Sequence, residues 1–127
     1  MDVLIQYGFS IEEIQYILDT NLEIEEVDDR LIYEFIELLR SIGCRNEHIK
    51  NIFICNPFCL TNSILDMKVL LQKLDEYGLD TLYVTIDRNP YLLNLTISDL
   101  EQLHQTKTKE GMTKKEFIDY LNYQFIY

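Results

Sequence analysis

The spacing of the chain's four glycines limits the folds that it can adopt. Gly8, Gly43 and Gly78 follow one another at intervals of 35 residues, and Gly111 comes 33 residues later. Each glycine stands shortly before residues that are typical of a helix start. Helices often end at a residue in the left-handed conformation, which glycine adopts without steric cost. The spacing therefore predicts a helical repeat of about 35 residues.

Each predicted repeat consists of a short helix, a break and a longer helix, because apolar residues recur at helical spacing on both sides of the break. The short helices are predicted over residues 10–20, 46–55 and 80–88, and the longer ones over 28–42, 64–77, 99–105 and 114–125. Asn56-Pro57 and Asn89-Pro90 mark the break in repeats two and three, since proline disfavours the α conformation in the residue before it. Repeat one has Asn21 at this position and no proline.

Capping and apolar patterns support these helices. Capping boxes are predicted at Ser10 with Glu13, at Ser63 with Asp66 and at Thr113 with Glu116, and Ser98 is predicted to cap the helix that starts at Asp99. The predicted core positions are Ile11, Ile14, Ile17 and Leu18; Leu31, Phe35, Leu38, Leu39 and Ile42; Ile49, Ile52 and Phe53; Met67, Leu70, Leu71 and Leu74; Leu82 and Ile86; Leu100 and Leu103; and Phe117, Tyr120, Leu121 and Phe125.

The predicted fold is all-α, a short α-solenoid of about three and a half helical hairpins, because each hairpin has an apolar face that only a neighbour can cover. At 127 residues the chain suits a single domain. Its repeats are predicted over residues 8–42, 43–77 and 78–110, with a C-terminal half-repeat over 111–127.

The sequence also predicts where the protein acts. The N-terminus has no basic segment of the kind that signal peptides carry, and no stretch reaches the roughly 18 apolar residues of a membrane span. Three cysteines in a chain without an export signal indicate reduced thiols. We therefore predict a cytoplasmic protein that does not cross a membrane.

Repeats two and three resemble the repeats of the mitochondrial transcription termination factor (mTERF) family over about residues 38–103. The shared pattern is a glycine, a short helix, Pro-x-x-Leu and a longer helix that ends in Leu-x-x-x-Gly. The matching residues are Gly43, Pro57, Leu60, Leu74, Gly78, Pro90 and Leu93. The resemblance implies a curved solenoid of stacked repeats, and it implies a basic concave surface that binds nucleic acid.

The charge of the chain points to a different partner. Acids outnumber bases by 22 to 11, and the net charge of −11 repels phosphate backbones at long range. Most of the excess lies in residues 8–42, which contain ten acids and only two bases, Arg30 and Arg40. The densest part of this acidic cluster consists of Glu23, Glu25, Glu26, Asp28 and Asp29. The cluster is interpreted either as a solvated joint with favourable charges at a helix start, or as a surface that docks a basic partner.

The aromatic C-terminal helix is a second candidate surface. Phe117, Tyr120 and Phe125, together with Tyr123 and Tyr127, place aromatic side chains on more than one side of it. Such a helix either lies wholly in the core or offers a dimer or partner interface.

Other residues of types that can bind metals or catalyse reactions form no convincing site. Cys44, His48, Cys55 and Cys59 do not have the spacing of a structural zinc site, and the cysteines are predicted to be core residues. The chain has two histidines, more than fifty residues apart, and no glycine-rich phosphate loop, so we predict no catalytic residue, no metal and no cofactor. The bases form two loose groups: Arg45, Lys50, Lys68 and Lys73 in repeat two, and Lys107, Lys109, Lys114 and Lys115 around Gly111.

The sequence therefore predicts a non-enzymatic protein-interaction module on an acidic mTERF-like scaffold. One alternative is a nucleic-acid-binding protein that uses a local basic face of repeats two and three. A second alternative is a small acidic inhibitor or immunity-type protein that mimics the charge of nucleic acid.

Overall fold

The computed structural model describes residues 2–79, 81–123 and 125. These residues form eight α-helices and three 3₁₀ helices, and no strand occurs among them, so the predicted all-α class is confirmed. The elements are α1 (Asp2–Gln6), α2 (Ile11–Thr20), η1 (Leu22–Glu26), α3 (Asp29–Ser41), α4 (Asn46–Cys55), η2 (Pro57–Thr61), α5 (Ile64–Glu76), α6 (Leu82–Arg88), η3 (Pro90–Asn94), α7 (Ile97–Lys109) and α8 (Lys114–Tyr123). Asp80, where a short helix was expected to begin, and Tyr127 lie outside the described residues.

A short α-helix, a 3₁₀ helix and a longer α-helix follow one another three times along the chain. Asn21, Asn56 and Asn89 stand at the three joints, where the N–H of each donates to a carbonyl four residues earlier at 3.2, 2.8 and 2.9 Å respectively. Repeat one therefore builds the same joint as its neighbours although it has no proline there.

By their internal contacts the residues fall into two compact units, unit 1 (Met1–Ile64) and unit 2 (Leu65–Tyr127). In unit 1, α3 packs against α1, α4 packs against α2, and η2 packs against η1. The ring of Phe9 stacks on that of Phe53 with centroids 6.0 Å apart, and both side chains are buried. These contacts cover the apolar faces of the helices within the unit.

In unit 2, α8 packs against α6 and α7. The Thr85 hydroxyl donates to the Asn122 side-chain oxygen, and the Asn89 amide donates to the Phe125 carbonyl at 2.7 Å. The Arg88 guanidinium donates to the Asn122 carbonyl at 3.1 Å. Polar side chains of α6 and of its following joint thus hold the end of α8 in place.

Several local predictions are confirmed. The Ser10 hydroxyl accepts from the Glu13 N–H at 3.1 Å, and the Glu13 carboxylate accepts from the Ser10 N–H at 2.9 Å. Thr113 and Glu116 form the same reciprocal pair. All four glycines have φ between 84° and 108°, so the left-handed helix ends are present where the spacing placed them.

The core face of α3 differs from the prediction. Ile32 and Ile36 are fully buried beside Phe35 and Leu39, whereas Leu31 is 43% exposed. Both choices have helical spacing, so periodicity alone does not select one apolar stripe over the adjacent one. Packing of α3 against α1 makes the selection.

Two helix starts and one core position also differ from the prediction. Helix α1 was missed. Ile11, expected in the core, opens α2 and is 75% exposed. Helix α7 starts at Ile97 with Thr96 rather than Ser98 as its N-cap, and the Thr96 hydroxyl accepts from the Asp99 N–H at 3.0 Å. Among the described residues, no helix has both the length and the apolarity of a membrane span.

Candidate functional site

The acidic cluster surrounds the joint of repeat one. Ile24 on η1 is fully buried, while Glu23, Glu25 and Glu26 are exposed. In a 3₁₀ helix, residues three positions apart lie on the same side. Glu23 and Glu26 therefore share a side of η1, and Glu25 lies on a different one.

The two aspartates at the end of the cluster belong to the start of α3. Asp28 is the N-cap, and its carboxylate accepts a hydrogen bond from the Arg30 N–H at 2.8 Å. Asp29 is the first residue of α3, where a negative charge is favourable beside the helix dipole. A role in capping thus accounts for Asp28 and Asp29, but it does not account for Glu23 and Glu26.

A groove of ≈ 640 Å³ runs beside this joint within unit 1. Three of its lining residues are acidic, and we call them the acidic edge: Glu23, Glu26 and Asp28. The lining is completed by Val27, Leu31, Phe35, Leu60, Thr61, Asn62, Ser63 and Ile64. Glu25 and Asp29, although part of the same acidic cluster, are not among the lining residues.

Apolar side chains also line the groove, and we call them its floor. Of these, Phe35 and Leu60 are buried, whereas Leu31 is 43% exposed. Thr61, Asn62 and Ser63 add neutral polar side chains to the lining. Sequence reasoning missed this groove because it placed Leu31 in the core and did not predict the 3₁₀ helices.

This combination suits a long cationic side chain. The carboxylates on one edge attract an ammonium or guanidinium group, and an apolar floor contacts the methylene stem of lysine or arginine. No lysine, arginine or histidine belongs to the lining, so no basic side chain of the described groove competes for the carboxylates.

The C-terminal aromatic residues are placed differently from one another. Phe117 is 1% exposed, and its ring centroid lies 4.7 Å from that of His104. Tyr120 and Phe125 are half-buried, with ring centroids 6.2 Å apart. Tyr123, by contrast, is 69% exposed, and the Arg88 guanidinium lies 4.6 Å from its ring centroid. Phe117 is therefore a core residue, and Tyr123 is the exposed aromatic side chain on α8.

Several bases of the candidate basic face lie next to acids. The Lys50 ammonium is 3.4 Å from the Glu13 carboxylate in unit 1. In unit 2 the ammonium groups of Lys73 and Lys107 lie 3.9 and 3.5 Å from carboxylates of Glu76 and Glu110. These pairs neutralise part of the positive charge that a nucleic-acid surface would need.

The three cysteines are free thiols in different surroundings. Cys44 and Cys59 are buried as predicted, and burial raises the pKa of the Cys59 thiol to about 12. Cys55 was expected in the core but is exposed, and its thiol donates to the Asn51 side-chain oxygen at 3.4 Å. Within the described ranges, no group of three or more His, Cys, Asp or Glu side chains is placed to hold a metal ion.

Comparisons with protein-family models, with curated proteins and with solved structures found no match to this chain.

Proposed function

We propose that this protein is a non-enzymatic interaction module that binds a basic segment of a partner protein in the groove of unit 1. The observation that carries the proposal is the presence of Glu23, Glu26 and Asp28 in the lining of a groove that also contains apolar side chains. The described lining contains no histidine or cysteine that could activate or replace Ser63 as a nucleophile.

The energetics favour a segment with more than one contact. An exposed ion pair contributes only about 0.2–1 kcal/mol, so two or three carboxylates alone would hold a partner weakly. Apolar contact with Leu31 adds about 25 cal/mol for each Å² removed from water. A basic segment that also places apolar surface on the floor therefore fits better than an isolated charge.

The scaffold and location form part of the same proposal. The recurring order of short helix, 3₁₀ helix and longer helix supports an mTERF-like repeat. The net charge of −11 and the acid-paired lysines favour a basic protein over nucleic acid as the partner. Three free cysteines support a reducing compartment such as the cytoplasm.

The test compares two charge-matched double variants. Glu23→Gln/Glu26→Gln removes two carboxylates from the groove edge, and Glu12→Gln/Glu25→Gln removes two exposed carboxylates that do not line it. The probe is a fluorescent peptide of alternating arginine and leucine. Stopped-flow mixing measures its association rate, and equilibrium titration measures its affinity. We expect the groove variant to associate about three- to tenfold more slowly and with a weaker salt dependence, because rim charges act mainly through the association rate. The control variant is expected to stay within about twofold of the parent.

Equal loss in the two variants would show that net charge, and not the groove, attracts the peptide, and it would contradict the proposal.

The same variants then serve to capture partners from the native host. Enrichment of nucleic-acid-binding enzymes by the parent, lost in the groove variant, would favour the inhibitor alternative. A salt-sensitive complex with DNA or RNA at sub-micromolar affinity would favour the nucleic-acid alternative.

A second copy of this chain, bound through the C-terminal helix, is a separate candidate partner. Because Phe117 is buried, its replacement would test folding, whereas Tyr123 is the exposed aromatic residue of α8. Sedimentation of the parent and of Tyr123→Ala distinguishes such a dimer from the binding of a basic segment.

A further inference from the structure

Unit 2 contains a smaller cavity in which bases outnumber acids. Its volume is ≈ 350 Å³, close to the lower end of the range for small-molecule sites. The lining residues are Lys73, Glu76, Tyr77, His104 and Lys114. Every one of these side chains carries a charge or a hydrogen-bonding group, in contrast to the apolar floor of the groove in unit 1.

Packing of aromatic rings holds two of the polar groups in place. Tyr77 is 9% exposed, and its ring meets His104 edge-on with centroids 5.1 Å apart. Phe117 contacts both rings, with its centroid 5.5 Å from that of Tyr77 and 4.7 Å from that of His104. The Tyr77 hydroxyl and the His104 Nδ1 are 3.3 Å apart, a long hydrogen bond that leaves the hydroxyl able to turn towards a ligand.

Burial is the main cause that raises the pKa of Tyr77, and the nearby carboxylates of Glu101 and Glu76 raise it further. The hydroxyl therefore keeps its proton at neutral pH and remains a hydrogen-bond donor.

The two lysines of the cavity are only weakly engaged. The Lys73 ammonium lies 3.9 Å from the Glu76 carboxylate, and both side chains are partly exposed, so the pair contributes little. The Lys114 ammonium forms no ion pair or hydrogen bond with any described residue. Two lysines and one carboxylate, that of Glu76, therefore belong to the lining, and the Glu101 carboxylate lies near Tyr77 outside it.

We propose that this cavity binds a small molecule through a phosphate monoester group. The ammonium groups of Lys73 and Lys114 pair with the phosphate oxygens, and the Tyr77 hydroxyl donates a hydrogen bond to one of them. A phosphate monoester carries close to two negative charges and three acceptor oxygens, which match two ammonium groups and a hydroxyl better than a carboxylate does. The size of the cavity fits a small phosphorylated molecule. The site is independent of the groove in unit 1.

Nuclear magnetic resonance of the imidazole protons tests this assignment directly, because the chain has two histidines, one in each unit. His104 lines the cavity, and His48 serves as the internal control. Inorganic phosphate is titrated at fixed pH, with chloride adjusted to keep the ionic strength constant. We expect a saturable shift of the His104 signal and no comparable shift of the His48 signal.

Substitution of the lysines completes the test. Lys114→Gln is expected to weaken phosphate binding at least about threefold, because it removes one of two ammonium groups. Lys115→Gln is the matched control, since Lys115 is the adjacent exposed lysine and does not line the cavity. Equal effects of the two substitutions, or parallel shifts of the two histidines without saturation, would overturn the proposal. Circular dichroism confirms that each variant is folded.

Discussion

Glu26 and Asp28 stand two residues apart in the acidic cluster, yet they have different structural roles. Asp28 accepts a hydrogen bond from the Arg30 N–H and caps α3. Glu26 is exposed at the groove edge and accepts no backbone hydrogen bond of this kind. Asp28 therefore has a role in capping besides its place in the groove lining, whereas Glu26 has only the latter.

The three cysteines also differ from one another, in this case in their expected reactivity. We predict that iodoacetamide labels Cys55 in the native protein and labels Cys44 and Cys59 only after unfolding. The thiolate is the reactive form, and a buried thiol with a pKa of about 12 has almost none of it at neutral pH. Mass spectrometry of native and denatured samples gives the labelled positions, and Cys55→Ser is expected to abolish native labelling. Native labelling of Cys59 would contradict its burial.

At the scale of elements, the joint between the two helices of a repeat is specified by more than proline. Asn21 has φ −148° and ψ 102°, and Asn56, which precedes Pro57, has φ −138° and ψ 70°. Asn21 is extended and Asn56 has a smaller ψ outside the extended region, and a 3₁₀ helix begins after each of them. At Asn21 the side-chain oxygen also accepts a hydrogen bond from the Glu23 N–H at 3.1 Å, which caps η1 without help from proline.

This similarity predicts that Leu22→Pro is tolerated. Leu22 opens η1 and is 73% exposed, and the N–H of a first helical residue has no partner within the helix. Relative to Leu22→Ala, we expect the free energy of unfolding of Leu22→Pro to be higher by about 0.4–1 kcal/mol, since proline restricts the unfolded chain. Urea unfolding of Leu22→Pro beside Leu22→Ala separates the effect of the ring from the loss of the leucine side chain. A decrease of more than about 1 kcal/mol relative to Leu22→Ala would show that the joint of repeat one cannot accept proline.

At the scale of the whole molecule, the negative charge is unevenly divided. Residues 1–64 contain twelve acids and four bases, a net charge of −8, and residues 65–127 contain ten acids and seven bases, a net charge of −3. The groove with its acidic edge lies in the first of these segments, and the cavity with two lysines lies in the second. The linings of the two proposed sites therefore differ in the sign of their net charge and call for ligands of opposite charge.

The excess charge predicts a stabilising effect of salt. A net charge of −11 repels itself in the compact state, and sodium chloride screens this repulsion. We expect the urea midpoint at neutral pH to rise between low salt and about 0.5 M sodium chloride, where the screening length is only a few ångströms. Circular dichroism measures the midpoint. A fall with added salt would mean that pairs such as Lys50 with Glu13 outweigh the repulsion.

Much of the local structure could be predicted from the sequence because its causes are local. The glycines at Gly43 and Gly78 adopt the positive φ that their spacing indicated, since few other residues tolerate this conformation. The Ser10–Glu13 capping box forms because its hydrogen bonds join residues three positions apart. The helical class follows from a periodicity that repeats along the chain.

The acidic cluster was also identified from the sequence, but the groove beside it was not. Its formation depends on η1 packing against η2, which brings residues about 35 positions apart to the same place. The choice between Leu31 and Ile32 as a core residue depends on the packing of α3 against α1, and it leaves Leu31 along the groove floor. The cavity of unit 2 likewise needs α5, α7 and α8 together. The sequence by itself determined the helices, their ends and the excess of acid, because neighbouring residues suffice for these. Only the tertiary structure decided which charges face a cavity, because that depends on contacts between residues far apart in the chain.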